Sequence, residues 1–209
     1  MNMAAARLDE GIDALGLEVT PGQRQKLLDY VALLHKWNRA YNLTAVRDPA
    51  EMVTRHVLDT LAVLPHLRGA RWLDVGSGPG IPGLILAIMR PDWQVDTLDS
   101  NLKKTRFMRQ AVRELGLDNA QVLKVRVEAW QPERCYEGVI SRAFAELGAL
   151  VRLTAHLPCE DGAWWAMKGH GEQELDDLPG DVRVERIIEI TVPGLDARRT
   201  LVELRREAA

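Results

Sequence analysis

Residues 73–83 read Leu-Asp-Val-Gly-Ser-Gly-Pro-Gly-Ile-Pro-Gly, and this stretch carries the clearest fold signal in the chain. It begins as a short buried strand and leads into an apolar helix at residues 84–89. Glycines between a strand and a helix let the backbone turn tightly and approach a ligand with no Cβ in the way. The stretch therefore predicts a ligand-binding loop, with Gly76, Gly78 and Gly80 at the carboxyl end of a parallel strand.

Strands and helices alternate on both sides of this loop from residue 71 onwards. The strand-like runs are residues 72–75, 95–98, 121–125, 138–141 and 163–167, and helical runs occupy residues 102–115 and 147–157. This alternation is typical of βαβ units, so we predict an α/β fold with a parallel sheet and helices on both faces. Residues 182–192 and 200–205 break the rhythm as two strand-like runs, which predict an antiparallel pair at the end of the sheet.

The segment before residue 67 has helical signals alone. Thr20, Pro21 and Gln23 form a capping box with proline at the first helical position, and Asp48 with Glu51 repeats the capping pattern ahead of a second amphipathic stripe. A weaker helix is expected at residues 4–15. We therefore expect residues 1–66 to form an amino-terminal helical cap and residues 67–209 to form the ligand-binding domain, as one compact unit.

Composition narrows the class of protein further. The chain has 209 residues, 46% of them hydrophobic and 27% charged, with a formal net charge of −3, so it can build a sizeable core. No apolar run approaches the roughly 18 residues of a membrane span, and the amino terminus lacks a signal-peptide layout, so we expect a cytoplasmic protein. Neither Cys135 and Cys159 nor the five histidines show metal-ligand spacing, so no metal is predicted.

The ligand that suits the loop is a positively charged nucleoside. Asp99 closes the second strand, where a carboxylate can accept hydrogen bonds from ribose hydroxyls. Residues 78–83 also match the dinucleotide pattern G-x-G-x-x-G, so an NAD-dependent oxidoreductase is an alternative. However, Pro79 and Pro82 remove amide donors that a diphosphate needs, and Asp74 adds a carboxylate that favours a cationic ligand end. The combination favours S-adenosylmethionine over NAD.

Several short motifs then resemble one family. They are His35-Lys36-Trp37-Asn38, Tyr41-Asn42-Leu43-Thr44, Val46-Arg47-Asp48-Pro49, Arg55-His56, the glycine loop, Val139-Ile140-Ser141-Arg142-Ala143-Phe144 and Met167-Lys168-Gly169. Over nearly its whole length the chain resembles the RsmG family, also called glucose-inhibited division protein B, of bacterial ribosomal RNA methyltransferases. The glycine loop is common to many methyltransferases. The motifs that are specific to this family are His35-Lys36-Trp37-Asn38 and Ser141-Arg142-Ala143-Phe144.

The resemblance implies a Rossmann-like, seven-stranded class I methyltransferase sheet with the helical cap. It implies a methyltransferase that uses S-adenosylmethionine to modify N7 of one guanine in 16S ribosomal RNA (position 527 in the family), a nitrogen that carries no proton in the stacked base. No general base is then required, and the partner is 16S ribosomal RNA alone, the small ribosomal subunit or an assembly intermediate. The implied cofactor contacts are Gly76, Ile81, Val127, Glu128 and Arg142, beside Gly78, Gly80 and Asp99.

RNA contacts require local positive charge, although the chain as a whole has a net negative charge. Residues 101–113 contain five cations and no acid, and Lys36, Arg126, Lys168 and Arg199 are the individual candidates for RNA contact. Such a face is also typical of an ordinary solvated helix. A non-catalytic RNA-binding module on the same fold is therefore a second alternative, which transfer of methyl groups into small-subunit RNA would exclude.

Overall fold

The computed structural model describes residues 3–207, apart from the side chain of Glu172. Its α-helices are α1 (Met3–Leu15), α2 (Pro21–Tyr41), α3 (Pro49–Met52), α4 (Asp59–Val63), α5 (Gly83–Met89), α6 (Leu102–Leu115) and α7 (Leu147–Thr154). Its strands are β1 (Arg71–Val75), β2 (Gln94–Leu98), β3 (Ala120–Leu123), β4 (Tyr136–Arg142), β5 (Pro158–Lys168), β6 (Val182–Ile190) and β7 (Arg199–Arg206).

The seven strands form one sheet in the order β3-β2-β1-β4-β5-β7-β6. The first five of these are parallel, and β7 pairs antiparallel with both β5 and β6. Both the α/β class and the closing antiparallel pair are confirmed. In a parallel sheet the loops after β1, β2, β4 and β5 emerge at one edge, and ligands bind in the crevice there.

Several predicted boundaries are wrong. β3 ends at Leu123 rather than at residue 125, and β6 ends at Ile190 rather than at 192. Helix α7 ends at Thr154, and β5 begins at Pro158, five residues before the predicted start. Cys-Glu-Asp-Gly at residues 159–162 has turn composition, and these residues form an irregular part of β5, because the pairing with β4 passes from Tyr136–Pro158 directly to Gly138–Ala163.

The amphipathic stripe after Asp48 is not one continuous α-helix. Asp48 caps α3 through its side chain, as predicted, and then Val53–Leu58 adopt a π-helical turn before α4 begins at Asp59. A short 3₁₀ turn, Leu64–His66, follows. π-turns of this kind are rare and occur frequently at functional sites. This one brings His56 and Asp59 to the sheet, as described below.

The hydrophobic core has two parts, one on each face of the sheet. The cap helices, α5 and α6 cover one face, where Trp72 stacks on Trp93 with ring centroids 5.2 Å apart. Helix α7 covers the other face and contributes Leu147 and Leu150. The cap is joined to the sheet domain by apolar packing rather than by a few surface contacts, because its buried residues share one cluster with α5 and α6.

The two cysteines pair, which their spacing did not indicate. Cys135 precedes β4 and Cys159 lies at the start of β5, and their sulfurs form a disulfide with Cα atoms 4.9 Å apart. This bond lies at the amino-terminal edge of the parallel strands, opposite the loops that form the crevice. Within residues 3–207, no cluster of metal-ligating side chains and no helix able to span a membrane is found.

Candidate functional site

The glycine loop turns back on itself immediately after β1. Gly76 has φ +67°, which favours glycine, and a Cβ at this position would collide with the Phe144 ring from the loop after β4. Ala143, between that phenylalanine and Arg142, also has a positive φ, +53°. Two irregular backbone turns therefore meet at the carboxyl ends of β1 and β4, and each fixes the position of the other.

The amide groups of the loop are already used within the protein. The N–H groups of Ser77, Gly80 and Ile81 donate to backbone carbonyls of the loop or of β2. The Gly78 amide donates to Asp99 Oδ2, and the Gly83 amide donates to Asp74 Oδ2, at 3.0 and 2.8 Å. Pro79 and Pro82 have no N–H. No amide from residue 77 to residue 83 is left for a diphosphate, which argues against a dinucleotide at this loop.

Asp74 lies beneath the loop rather than beside a ligand. Its side chain is fully buried, and its Oδ1 atom has no hydrogen-bond partner. Burial raises the pKa of Asp74 to about 7, although the hydrogen bond from Gly83 opposes that rise. The interpretation of Asp74 as a ligand-facing carboxylate therefore needs correction, because its role in this structure is to hold the start of α5 against β1.

Two clefts open at this edge of the sheet. The first, which we call the loop cleft, has a volume of about 470 Å³ and lies between the glycine loop, the ends of β4 and β5, the start of β7 and the cap residues Leu43 and Asp59. The second, the Asp99 cleft, has a volume of about 310 Å³ and lies between the ends of β2, β3 and β4. Both clefts are lined by Gly76, Lys104 and Ala143, so they are two arms of one curved site.

Most of the predicted cofactor residues line this site. Asp99, Val127 and Glu128 line the Asp99 cleft, in which the buried Val127 supplies an apolar wall. The loop cleft is lined by Gly78, Ile81 and Arg142, and Gly76 faces both clefts. Gly80 lines neither cleft; it has φ +91° and shapes the loop. These lining residues fit a ribose and a purine ring in the Asp99 cleft and a short polar chain in the loop cleft.

Asp99 is both a turn residue and part of the lining of the Asp99 cleft. Its Oδ1 accepts from the Asn101 amide at 2.8 Å, as a turn residue does, and its Oδ2 accepts from the Gly78 amide. Lys104 Nζ lies 3.6 Å from the same Oδ2. The carboxylate is thus fixed by the start of α6 and by the glycine loop, and each oxygen keeps a lone pair for a ribose hydroxyl.

Arg142 is held by the helical cap. Its Nη1 donates to the Arg55 carbonyl at 2.8 Å and to Asp59 Oδ2 at 3.2 Å, and its Nη2 donates to His56 Nδ1 at 3.2 Å. Because a guanidinium can only donate, His56 Nδ1 accepts, and its Nε2–H donates to Thr44 Oγ1 at 2.9 Å. Burial and the Arg142 charge lower the pKa of His56 to about 4, so the ring is neutral.

Asp59 extends this network to the last strand of the chain. Its side chain is only 3% exposed, and its Oδ1 accepts from Arg199 Nε at 3.1 Å while Oδ2 binds Arg142. One carboxylate from the cap therefore binds two arginines, one after β4 and one at the start of β7. Sequence reasoning missed Asp59 because its partners lie more than eighty positions along the chain and no local motif marks it.

The four candidates for RNA contact are not all brought together. Lys168 and Arg199 line the loop cleft, and Lys168 Nζ is held by Glu174 at 2.8 Å and by the Ala145 carbonyl. Arg126 is exposed at the rim of the Asp99 cleft. Lys36 is exposed on α2 beside the carboxyl-terminal half of α6, away from both clefts. The cations at the clefts nevertheless give this edge a positive character.

The loop cleft offers no obvious proton acceptor. Its titratable lining groups are the cations of Lys104, Arg142, Lys168 and Arg199, together with the Asp59 carboxylate, which already binds two of them. His56 uses both ring nitrogens in hydrogen bonds. The arrangement suits chemistry at an atom that has a lone pair and no proton to lose.

Comparison with known sequences identifies a family. A family model described as rRNA small subunit methyltransferase G matches residues 23–202. The ribosomal RNA small subunit methyltransferase G of Laribacter hongkongensis is 54% identical over 198 residues, which cover 94% of this chain and 96% of that protein. The protein of the same name from Chromobacterium violaceum is 52% identical over 206 residues, covering 98% of this chain and 99% of that protein.

Solved structures with a similar fold have low sequence identity. A putative methyltransferase from Thermoplasma acidophilum has a TM-score of 0.54 at 12% identity, over 68% of this chain and 70% of that one. A mutant of MtNAS in complex with S-adenosylmethionine has a TM-score of 0.58 at 16% identity, over 86% of this chain and 76% of that one. These similarities show the fold alone.

Proposed function

The chain belongs to the rRNA small subunit methyltransferase G family, and on that premise we propose that it methylates N7 of one guanine in 16S ribosomal RNA. S-adenosylmethionine is the cofactor and supplies the methyl group from its sulfonium. The observation that carries the proposal is the chemistry of the curved site: a loop with no amide left for a phosphate, and a cationic cleft without a free base.

The Asp99 cleft is the proposed nucleoside site. Asp99 is positioned to accept hydrogen bonds from ribose hydroxyls, and the buried Val127, with Glu128 beside it, forms the wall for an adenine ring. Gly76 stands where the two clefts join, so the sulfonium would lie near its backbone. The methionine part would then extend past Gly78 and Ile81 toward Arg142 in the loop cleft.

The loop cleft is also the proposed site of the guanine, which would share it with the methionine part of the cofactor. N7 of guanine is an acceptor with a lone pair and no proton, so the protein has no proton to remove. What its residues supply is placement, and orienting two reactants in line contributes on the order of 7–11 kcal/mol of barrier reduction. The rigid support of Arg142 and Arg199 by Asp59 serves this placement, because both arginines face the cleft.

The target guanine is proposed to enter from irregular rather than duplex RNA. Lys168, Arg199 and Arg126 surround the clefts and would bind phosphates, whereas the position of Lys36 suits a more distant phosphate contact. Bases in loops and bulges are the ones that proteins can extract and orient. The proposed partner is 16S ribosomal RNA, alone, in the small subunit or in an assembly intermediate, and we propose the cytoplasm as the place of action.

The two alternatives have less support. An NAD-dependent oxidoreductase requires amide donors at the loop, and these are bonded elsewhere. A non-catalytic RNA-binding module does not require a cofactor site, whereas this chain has two joined clefts with Asp99 in one of them. The division into a helical cap (residues 1–66) and an S-adenosylmethionine-binding domain (residues 67–209) remains part of the proposal, and the network around Asp59 would connect the two.

The experiment that tests the proposal maps methylation in cells. Small-subunit RNA is isolated from a strain lacking this protein and from the same strain carrying it, and 7-methylguanosine is mapped by chemical cleavage at the modified base. We expect one guanine to lose its mark in the absence of the protein and to regain it on complementation. An identical set of marks in both strains would refute the proposal.

A further inference from the structure

Two exposed hydrophobic side chains lie close in the chain to residues that line the loop cleft. Tyr41, at the end of α2, is 43% exposed, and Leu102, at the start of α6, is 42% exposed. These are two of the four large hydrophobic side chains that are markedly exposed within residues 3–207. We call them the α2–α6 patch.

The two residues of the patch lie at the same end of a helix pair. Helices α2 and α6 run antiparallel, because Lys26 near the start of α2 bonds to the carbonyl of Gly116 just after α6. At the other end, the Trp37 ring packs edge-on against Phe107, with centroids 5.7 Å apart. Tyr41 is one turn beyond Trp37, and Leu102 lies just over one turn before Phe107.

A rigid stack of rings supports the exposed face of Tyr41. The Tyr41 and Trp37 rings have centroids 5.2 Å apart and are tilted by 33°, and Trp37 in turn rests on the buried Phe107. An aromatic side chain that is supported in this way has little freedom to lose on binding. Its open face can stack on any nucleic-acid base, because every base has a π-face.

The surroundings of the patch favour RNA as its occupant. Lys103 and Arg106 flank Leu102, are exposed, and have no carboxylate partner in the part of the chain that the structure describes. Leu43 and Lys104, each two residues beyond a member of the patch, line the loop cleft. Two residues span at most about 7 Å, so the patch is within reach of a nucleotide adjacent to one held in the cleft.

We propose that the α2–α6 patch is a stacking platform for an unpaired nucleotide that neighbours the target guanine, with Lys103 and Arg106 as its phosphate contacts. This inference rests on the proposed function, since it places the target base in the loop cleft. Tyr41 would hold the neighbouring RNA strand in an extruded conformation while the guanine occupies the loop cleft. Stacking on an aromatic side chain is sequence-tolerant, so the platform would contribute affinity rather than base specificity.

The test compares Tyr41→Ala with two controls, Tyr41→Phe, which keeps the ring, and Ile187→Ala, which removes a side chain 41% exposed on β6. Affinity for protein-free small-subunit RNA is measured by filter binding over a range of salt concentrations, and cofactor affinity is measured by titration calorimetry. We expect Tyr41→Ala to weaken RNA binding about tenfold and both controls to stay within about twofold of the wild type. Cofactor affinity should not change.

The salt dependence separates stacking from charge. Tyr41→Ala should leave the slope of log affinity against log salt unchanged, whereas Lys103→Ala should reduce its magnitude by about one. Wild-type RNA affinity in Tyr41→Ala would overturn the inference. If the wild type binds small subunits but not protein-free RNA, the same comparison is made on subunits from cells lacking the protein, and an unchanged affinity of Tyr41→Ala there would overturn it. Normal RNA binding with impaired methylation of assembled subunits would instead indicate a protein on the patch and would also overturn it. A wild type that binds this RNA but methylates neither it nor assembled subunits would refute the proposed function and leave the platform standing.

Discussion

Asp99 illustrates how a residue can be both structural and available to a ligand. Its two oxygens hold the Asn101 and Gly78 amides, and Lys104 neutralises part of its charge. The same carboxylate lines the cleft that we assign to the nucleoside. Its place at the end of the second strand made it predictable from sequence, since the strand end and the acidic side chain are both local features.

Asp99→Ala should weaken the binding of S-adenosylmethionine by at least about tenfold, because it removes the acceptor for the ribose hydroxyls. The measurement is titration calorimetry, with circular dichroism to confirm that the fold is retained. Asp92→Ala is the matched control, as Asp92 is exposed and pairs with Arg90 away from both clefts. Undiminished cofactor binding by Asp99→Ala would contradict the assignment of the nucleoside site.

His56 should make stability depend on pH in a defined window. Burial and Arg142 lower its pKa from 6.5 to about 4, so between these values the folded state binds fewer protons than the unfolded chain. The stabilisation from its neutral form is complete above pH 6.5 and is lost as pH falls toward 4, by up to about 3 kcal/mol.

The measurement compares the free energy of unfolding of the wild type and His56→Gln from pH 4 to 8. The two proteins are compared because burial also raises the pKa of Asp74 to about 7. The stabilisation of the fold by protonated Asp74 is lost as pH rises through that value, which opposes the trend from His56. The advantage of the wild type over the variant should grow as pH rises from 4 to 6.5 and then stay constant. A difference that does not change with pH would contradict the neutral, buried His56.

Among the elements, the π-helical turn Val53–Leu58 and the helix after it connect the cap to the sheet. They place His56 and Asp59 against Arg142 and Arg199, which belong to strands far along the chain. An amphipathic stripe predicts a helix but not an inserted π-turn, because a continuous α-helix and a helix with a π-turn both keep the apolar residues on one side. The helix was therefore predictable and its irregular turn was not.

Asp59→Asn should destabilise the fold by about 2–4 kcal/mol, since it removes the buried charge that two partly buried arginines share. Chemical denaturation measures the effect. The control is Glu51→Gln in the preceding turn, whose ion pair with Arg55 is half exposed and should contribute less than about 1 kcal/mol.

Methyl transfer by Asp59→Asn tests the positioning role separately from stability. At a temperature where the variant is folded, we expect kcat to fall, because Arg142 and Arg199 would be less well oriented toward the guanine. Equal loss of stability in the two variants, or an unchanged kcat in Asp59→Asn, would contradict the central place given to this carboxylate.

For the complete chain, the order of strands and helices along the sequence could largely be predicted. Alternating strand and helix runs predicted the parallel sheet, and the two strand-like runs at residues 182–192 and 200–205 predicted the antiparallel end. The two joined clefts were not predictable in detail, because they depend on how the loop after β4 packs on Gly76 and how the cap settles on β4 and β7.

We propose that this curved site places the bare N7 of one guanine against a methyl donor. The most direct test incubates the purified chain with methyl-labelled S-adenosylmethionine and small ribosomal subunits from cells lacking the protein, then digests the RNA to nucleosides. We expect label in 7-methylguanosine alone, derived from a single position. Label in a different nucleoside, or none with either intact subunits or assembly intermediates, would contradict it.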